Sequence, residues 1–94
     1  HIAILLISES FVSSDYIVNK ELVWIKEQVE KNDMKIVPLL IGNITEKSKR
    51  IIDWIYQRQI HPSETQPLCN YLNDKAQWDH MITSILNIID AKID

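Results

Sequence analysis

Six consecutive apolar residues, Ile2-Ala3-Ile4-Leu5-Leu6-Ile7, rich in branched aliphatics and without a polar interruption, constrain the fold of this chain more than any other feature. A strand with one wet face alternates apolar and polar residues, whereas a continuous aliphatic run suits a strand covered on both faces, as in a parallel sheet between helices. A second such run, Ile36-Val37-Pro38-Leu39-Leu40-Ile41, falls within a predicted strand at 34–41 and is closed by Gly42-Asn43. Proline gives a ladder no N–H, which predicts an edge or a bulge for this second strand.

The segments around these strands read as helices. From Ser14 or Asp15, both good N-caps, Val18, Leu22, Ile25 and Val29 recur at steps of four, three and four, predicting a helix over 14–31 that Asn32-Asp33 ends. Thr45 opens a predicted helix over 45–57, with Ile51, Ile52 and Ile55 on the covered face and Glu46, Lys47, Lys49 and Arg50 on the wet one. Pro62 and Pro67, with Ser63, Thr65, Asn70, Asn73 and Asp74, make the next stretch mostly loop, with a short edge strand at 68–72. A last helix over 74–91 sets Trp78, Met81, Ile82, Ile85, Ile88 and Ile89 on one broad face.

Strand, helix, strand, helix, short strand, helix implies right-handed βαβ units and an α/β fold with a parallel sheet. Two or three strands make a short sheet, and the first is too apolar for an edge, so a further strand is expected, from sequence upstream of His1 or from a partner chain.

Composition excludes several classes of function. A net charge of −3 without a basic run argues against nucleic acid as a partner. Cys69 is the only cysteine, so no disulfide framework is expected and a reducing, cytoplasmic setting fits best. The longest apolar run is far below the roughly 20 residues of a membrane helix, so no membrane partner is expected. A single glycine, Gly42, rules out the glycine-rich phosphate loops of Rossmann and P-loop folds. His1, His61 and His80 share no ligand spacing with one another or with Cys69, and no metal site is expected.

Ligands of open α/β sheets collect at the carboxyl ends of the strands, which directs attention to the serine-rich turn 8–14 and the helix after it. On a 3.6-residue period Glu21 falls beside the Val18, Leu22 and Ile25 stripe, predicting a partly shielded carboxylate. Within the first two helical turns it feels a dipole worth about 0.3–1 kcal/mol, which favours the ionised form. Glu21 is then either a positioned acid or an ordinary solvated helix residue like Lys20, Gln28 and Glu30. Ser8, Ser10, Ser13 and Ser14 have two open roles, donating to a ligand or capping turn amides. Tyr16 stacks on a base or ribose, or packs at the helix start; Phe11 and Trp78 read as core. Trp24 lies off the main stripe and packs against further sequence or belongs to an assembly surface.

The strand ending in Ile7-Ser8, the turn Ser10-Phe11-Val12-Ser13-Ser14-Asp15-Tyr16 and then Asn19-Lys20-Glu21-Leu22 resemble the strand, serine-bearing turn and glutamate-bearing helix of a Toll/interleukin-1 receptor (TIR) domain, particularly the bacterial kind. Ile36-Val37-Pro38-Leu39-Leu40 is similar to the family's proline-containing fourth strand, and Pro67-Leu68 followed by Trp78 agrees with its order. The likeness, to the C-terminal portion of the domain, runs the whole length of the chain.

This resemblance implies a flavodoxin-like parallel sheet with helices on both faces, here as one partial TIR domain over 1–94 whose N-terminal strands and nucleotide loop precede His1. It further implies an NAD+ glycohydrolase that cleaves the nicotinamide–ribose bond in defence signalling, with Glu21 catalytic and Ser8, Ser14 and Tyr16 binding substrate. NAD+ is the substrate, no cofactor is implied, and other TIR domains are the implied partners. Without the nucleotide loop the segment alone is expected to be inactive. Many relatives place a tryptophan four residues before the glutamate; Ile17 stands there, and Tyr16 lies five before it. The alternative is a TIR scaffold that signals only through TIR-to-TIR contacts. A third reading, a flavodoxin-like regulator unrelated to TIR, lacks the clustered acidic phosphorylation site it would need.

Overall fold

The computed structural model describes residues 1–93. Two parallel strands, β1 (Ile2–Ile7) and β2 (Lys35–Leu40), pair in register from Ile2 opposite Lys35 to Ile7 opposite Leu40. Around them stand α1 (Glu9–Ser13), a π-helical turn (Ile17–Glu21) continuing into α2 (Leu22–Glu30), α3 (Glu46–Ile51), α4 (Asp53–Tyr56), a 3-10 turn (Leu68–Tyr71) and α5 (Lys75–Ile93). The result is an α/β protein with helices on both faces of its small parallel sheet.

The two faces carry separate cores. On one, Leu5 and Ile7 of β1 and Ile36 and Leu40 of β2 pack with Val12, Leu22, Val29, Ile52 and Ile55 from α1, α2 and the α3–α4 region. On the other, Val37 and Leu39 pack with Leu68 and Ile85, and α5 adds Trp78, Met81 and Ile89. Phe11 and Trp78 are half-buried against these two cores, in line with their sequence reading.

Hydrogen bonding explains how β2 accommodates Pro38. The Lys35 N–H donates to the His1 carbonyl and the Ile41 N–H to the Ile7 carbonyl, so odd-numbered residues of β2 bond to β1. Even-numbered residues face the other way, where the Leu40 N–H donates to the His61 carbonyl and the His61 N–H to the Pro38 carbonyl. Pro38 is asked only to accept, so its missing N–H costs no ladder bond. His61 thereby fills the third place in the sheet through a single bridge to Leu39.

That place was expected for a strand at 68–72, and the structure differs. Pro67 introduces a 3-10 turn over Leu68–Tyr71 instead, joined to the sheet end by one bond from the Cys69 N–H to the Ile41 carbonyl. The expected helix at 14–31 also changes form: Ser8 to Ser13 already makes a helical turn, α1, and the chain restarts after Ser14. Its C-terminus follows the sequence reading, because Asn32 takes a positive φ of 61° and the Asn32 and Asp33 N–H groups reach back to the Val29 and Gln28 carbonyls. The expected helix at 45–57 breaks at Ile52, turning Ile51 out to solvent while Ile52 and Ile55 are fully buried. With Ile-Ile-Asp and neither Gly nor Pro at 51–53, nothing in the sequence signals that break. Thr45 and Asp74 cap the following helices as expected, accepting from the Ser48 and Gln77 N–H groups.

Candidate functional site

The π-helical turn sets the geometry around Glu21. The Leu22 N–H bonds to the Ile17 carbonyl, an i to i−5 link that admits one more residue than an α-helical turn. Residues five apart are thereby drawn toward one side, as residues four apart are in an α-helix. Tyr16 and Glu21 accordingly line one shallow hollow of about 390 Å³ together with Lys20, Trp24 and Ile25. Tyr16 is 67 % exposed and Trp24 54 %, so two aromatic rings stand in solvent beside the carboxylate.

Glu21 itself is exposed, which corrects the expectation of a partly shielded acid. The extra residue of the π turn shifts the helix face at that point, and burial passes to Leu22, Ile25 and Val29. No hydrogen bond or ion pair to another described side chain occupies the Glu21 carboxylate, so both oxygens are open to ligand hydroxyls.

Ser8 and Ser14 are not brought to this hollow. Ser8 Oγ accepts from the Phe11 N–H at 3.3 Å and Ser14 Oγ from the Ile17 N–H at 3.3 Å, capping α1 and the start of the π turn. Of the four expected site residues, then, Glu21 and Tyr16 come together, while the two serines serve the backbone. Sequence reasoning did not assign Trp24 and Lys20 to the site, although Trp24, three residues after the acid on a helix, is the spacing that places it there.

A second acid lies at the carboxyl end of the sheet. Glu9 accepts from the Thr45 N–H and, at 2.8 Å, from Ser48 Oγ, tying α1 to the first turn of α3. These hydrogen bonds hold the Glu9 carboxyl below its ordinary value. Glu9 is therefore a clamp, and it fills the position at the α3 N-terminus that an anionic ligand would take.

Among the described residues no cluster of His, Cys, Asp and Glu suits a metal ion, and no helix is long and apolar enough to cross a membrane. Comparison with protein-family models, with curated proteins and with solved structures finds no match to this chain.

Proposed function

We propose that the chain is the glutamate-bearing portion of a TIR-type NAD+ glycohydrolase, working in the cytoplasm in defence signalling. The observation that carries the reading is the pairing of Tyr16 and Glu21 in one hollow across the π turn, with Trp24 beside them. Flat aromatic faces at the rim suit stacking of a nicotinamide or adenine ring, and a carboxylate without protein partners suits ribose hydroxyls.

In the proposed reaction the C–N bond between ribose and nicotinamide breaks and its electron pair leaves with the ring, neutralising the pyridinium. A ribosyl cation of oxocarbenium character remains, and the Glu21 carboxylate stabilises it before water, losing a proton, completes hydrolysis. Because nicotinamide is already a good leaving group, no second acid is needed. The exposure of the hollow calls for a covering surface to exclude water, which assembly with other TIR domains would supply.

The test is nicotinamide release by the complete protein under enforced oligomerisation. Glu21→Gln should lower it by about 100-fold or more, the scale of removing one transition-state electrostatic partner. The second reading, a non-catalytic TIR scaffold, draws on the exposed Val23 and Trp24 of α2 and Ile4 and Leu6 of β1, apolar surface suited to protein contacts. Absence of release from the oligomerised protein, with assembly lost on Trp24→Ala, would establish it instead.

A further inference from the structure

A cavity of about 660 Å³ lies at the other end of the sheet from Glu9, between the start of β2, the 58–61 segment and the end of α5. Its volume falls in the roughly 300–1,000 Å³ range of small-molecule sites. Four basic side chains line it, Lys35, Arg58, His61 and Lys92, and no carboxylate does. Asp33 lines an adjoining hollow that shares Lys35 and Lys92. The ion pairs among the described residues are Lys49 with Glu46 and Lys75 with Asp79, so none of the three cavity cations is neutralised in this way.

His61 adds a polar side chain to this lining. The residue is more than nine-tenths buried, and its backbone is consumed by the bridge to β2. The residue lines the cavity, and its imidazole takes part in no hydrogen bond with another described residue. The ring nitrogens remain reachable from solvent, so an N–H there is available to a ligand in place of water.

The bland account of the cations is that they offset helix dipoles, since the C-terminal ends of α2 and α5 both border the cavity. Lys35 Nζ does donate to the Lys92 carbonyl at 3.3 Å. Two helix ends amount to about −1 in charge against three full positive charges, and the carboxylates of Asp33, Glu30 and Asp53 line adjoining hollows without forming an ion pair with any of the three. Val29, Ile36 and Ile88 add an apolar part to the lining.

We propose that this cavity binds the phosphoryl group of a small phosphorylated molecule, whose organic part lies along the Val29, Ile36 and Ile88 wall. Arg58 supplies the planar fork that matches phosphate oxygens, Lys92 a point charge, and the His61 ring an N–H donor. The site shares no residue with the Glu21 hollow, so its existence does not depend on the proposed glycohydrolase activity.

The experiment follows the His61 imidazole resonances of the complete protein by NMR at constant ionic strength, titrating inorganic phosphate, glycerol phosphate or chloride. Saturable shifts are expected with both phosphates and not with chloride, with glycerol phosphate binding more tightly. Arg58→Gln and Lys92→Gln should each weaken binding by roughly tenfold, while Lys47→Gln, on α3 and outside the cavity, should change nothing. Arg58 is exposed, so its substitution leaves the core intact. Equal responses to chloride, or affinities unmoved by both cavity variants, overturn the site; phosphate binding without glycerol phosphate binding overturns the ligand class.

Discussion

β1 and β2 are six-residue strands of similar aliphatic composition, yet β2 is buried at every position from Ile36 to Leu40, while β1 alternates. Leu5 and Ile7 are covered, whereas Ile4 is 46 % and Leu6 52 % exposed. The difference comes from their neighbours. β2 has β1 on one edge, His61 on the other and α5 across its face; β1 has β2 alone, and α5 does not reach over Ile4 and Leu6. A continuous aliphatic run therefore states which surfaces a strand is able to bury, and the reach of adjacent elements decides which it does bury.

The sharpest way to break this comparison uses one substitution at two places on the same strand. Ile7→Ala should cost about 2–5 kcal/mol, the range for emptying a packed core site. Ile4→Ala should cost under about 1 kcal/mol, as for other half-exposed positions. Urea unfolding midpoints of the two variants measure both. Equal losses would show that the outer face of β1 is covered in solution.

Amide hydrogen exchange sharpens the same contrast without mutation. In a parallel ladder a residue's N–H and C=O point the same way, so Leu5 and Ile7 face β2 while Ile4 and Leu6 face the open edge. The Leu5 and Ile7 amides should exchange slowly and those of Ile4 and Leu6 much faster. Protection at Ile4 and Leu6 would identify a strand paired on that edge.

His61 tests the closed side of β2. Burial, and secondarily the charge of Lys92, lowers its pKa from the ordinary value. The unfolded chain then takes up the proton first, so stability is unaffected above about pH 6.5 and falls as the pH drops from there to the lowered folded value. His61→Gln should remove that slope, and thermal midpoints across the range will show it. If the cavity holds phosphate, added phosphate should flatten the slope in the parent protein, because an anion beside the ring favours its protonated form.

The strands, the closing helix and the caps at Ser14, Thr45 and Asp74 were legible in the sequence because each rests on local chemistry: apolar continuity, helical period and side-chain oxygens placed for free amides. The third place in the sheet was not legible. His61 holds it through backbone bonds that any residue could make, and its side chain carries no strand signal. The π turn was equally silent, because Val18, Leu22, Ile25 and Val29 fit an unbroken α-helix and only tertiary packing selects the extra residue. The proximity of Glu21 and Tyr16, five residues apart on one helix, follows from sequence distance, while the cavity cations, spread over residues 35 to 92, line one hollow only in three dimensions.

The smallest effect is expected at Glu9, which fastens the end of β1 to α3 across the mouth of the sheet. Hydrogen bonds from the Thr45 N–H and the Ser48 hydroxyl favour its charged form and lower its pKa. That contribution is present above the unfolded value of 4.5 and fades as the pH falls from there through the folded value. Glu9→Gln retains one acceptor oxygen while losing the charge, so the variant should unfold slightly below the parent near neutral pH. The two midpoints should converge in acid, once the parent carboxyl is protonated. A difference that persisted in acid would mean that Glu9 acts through packing, making the β1 end as firmly built as the β2 edge.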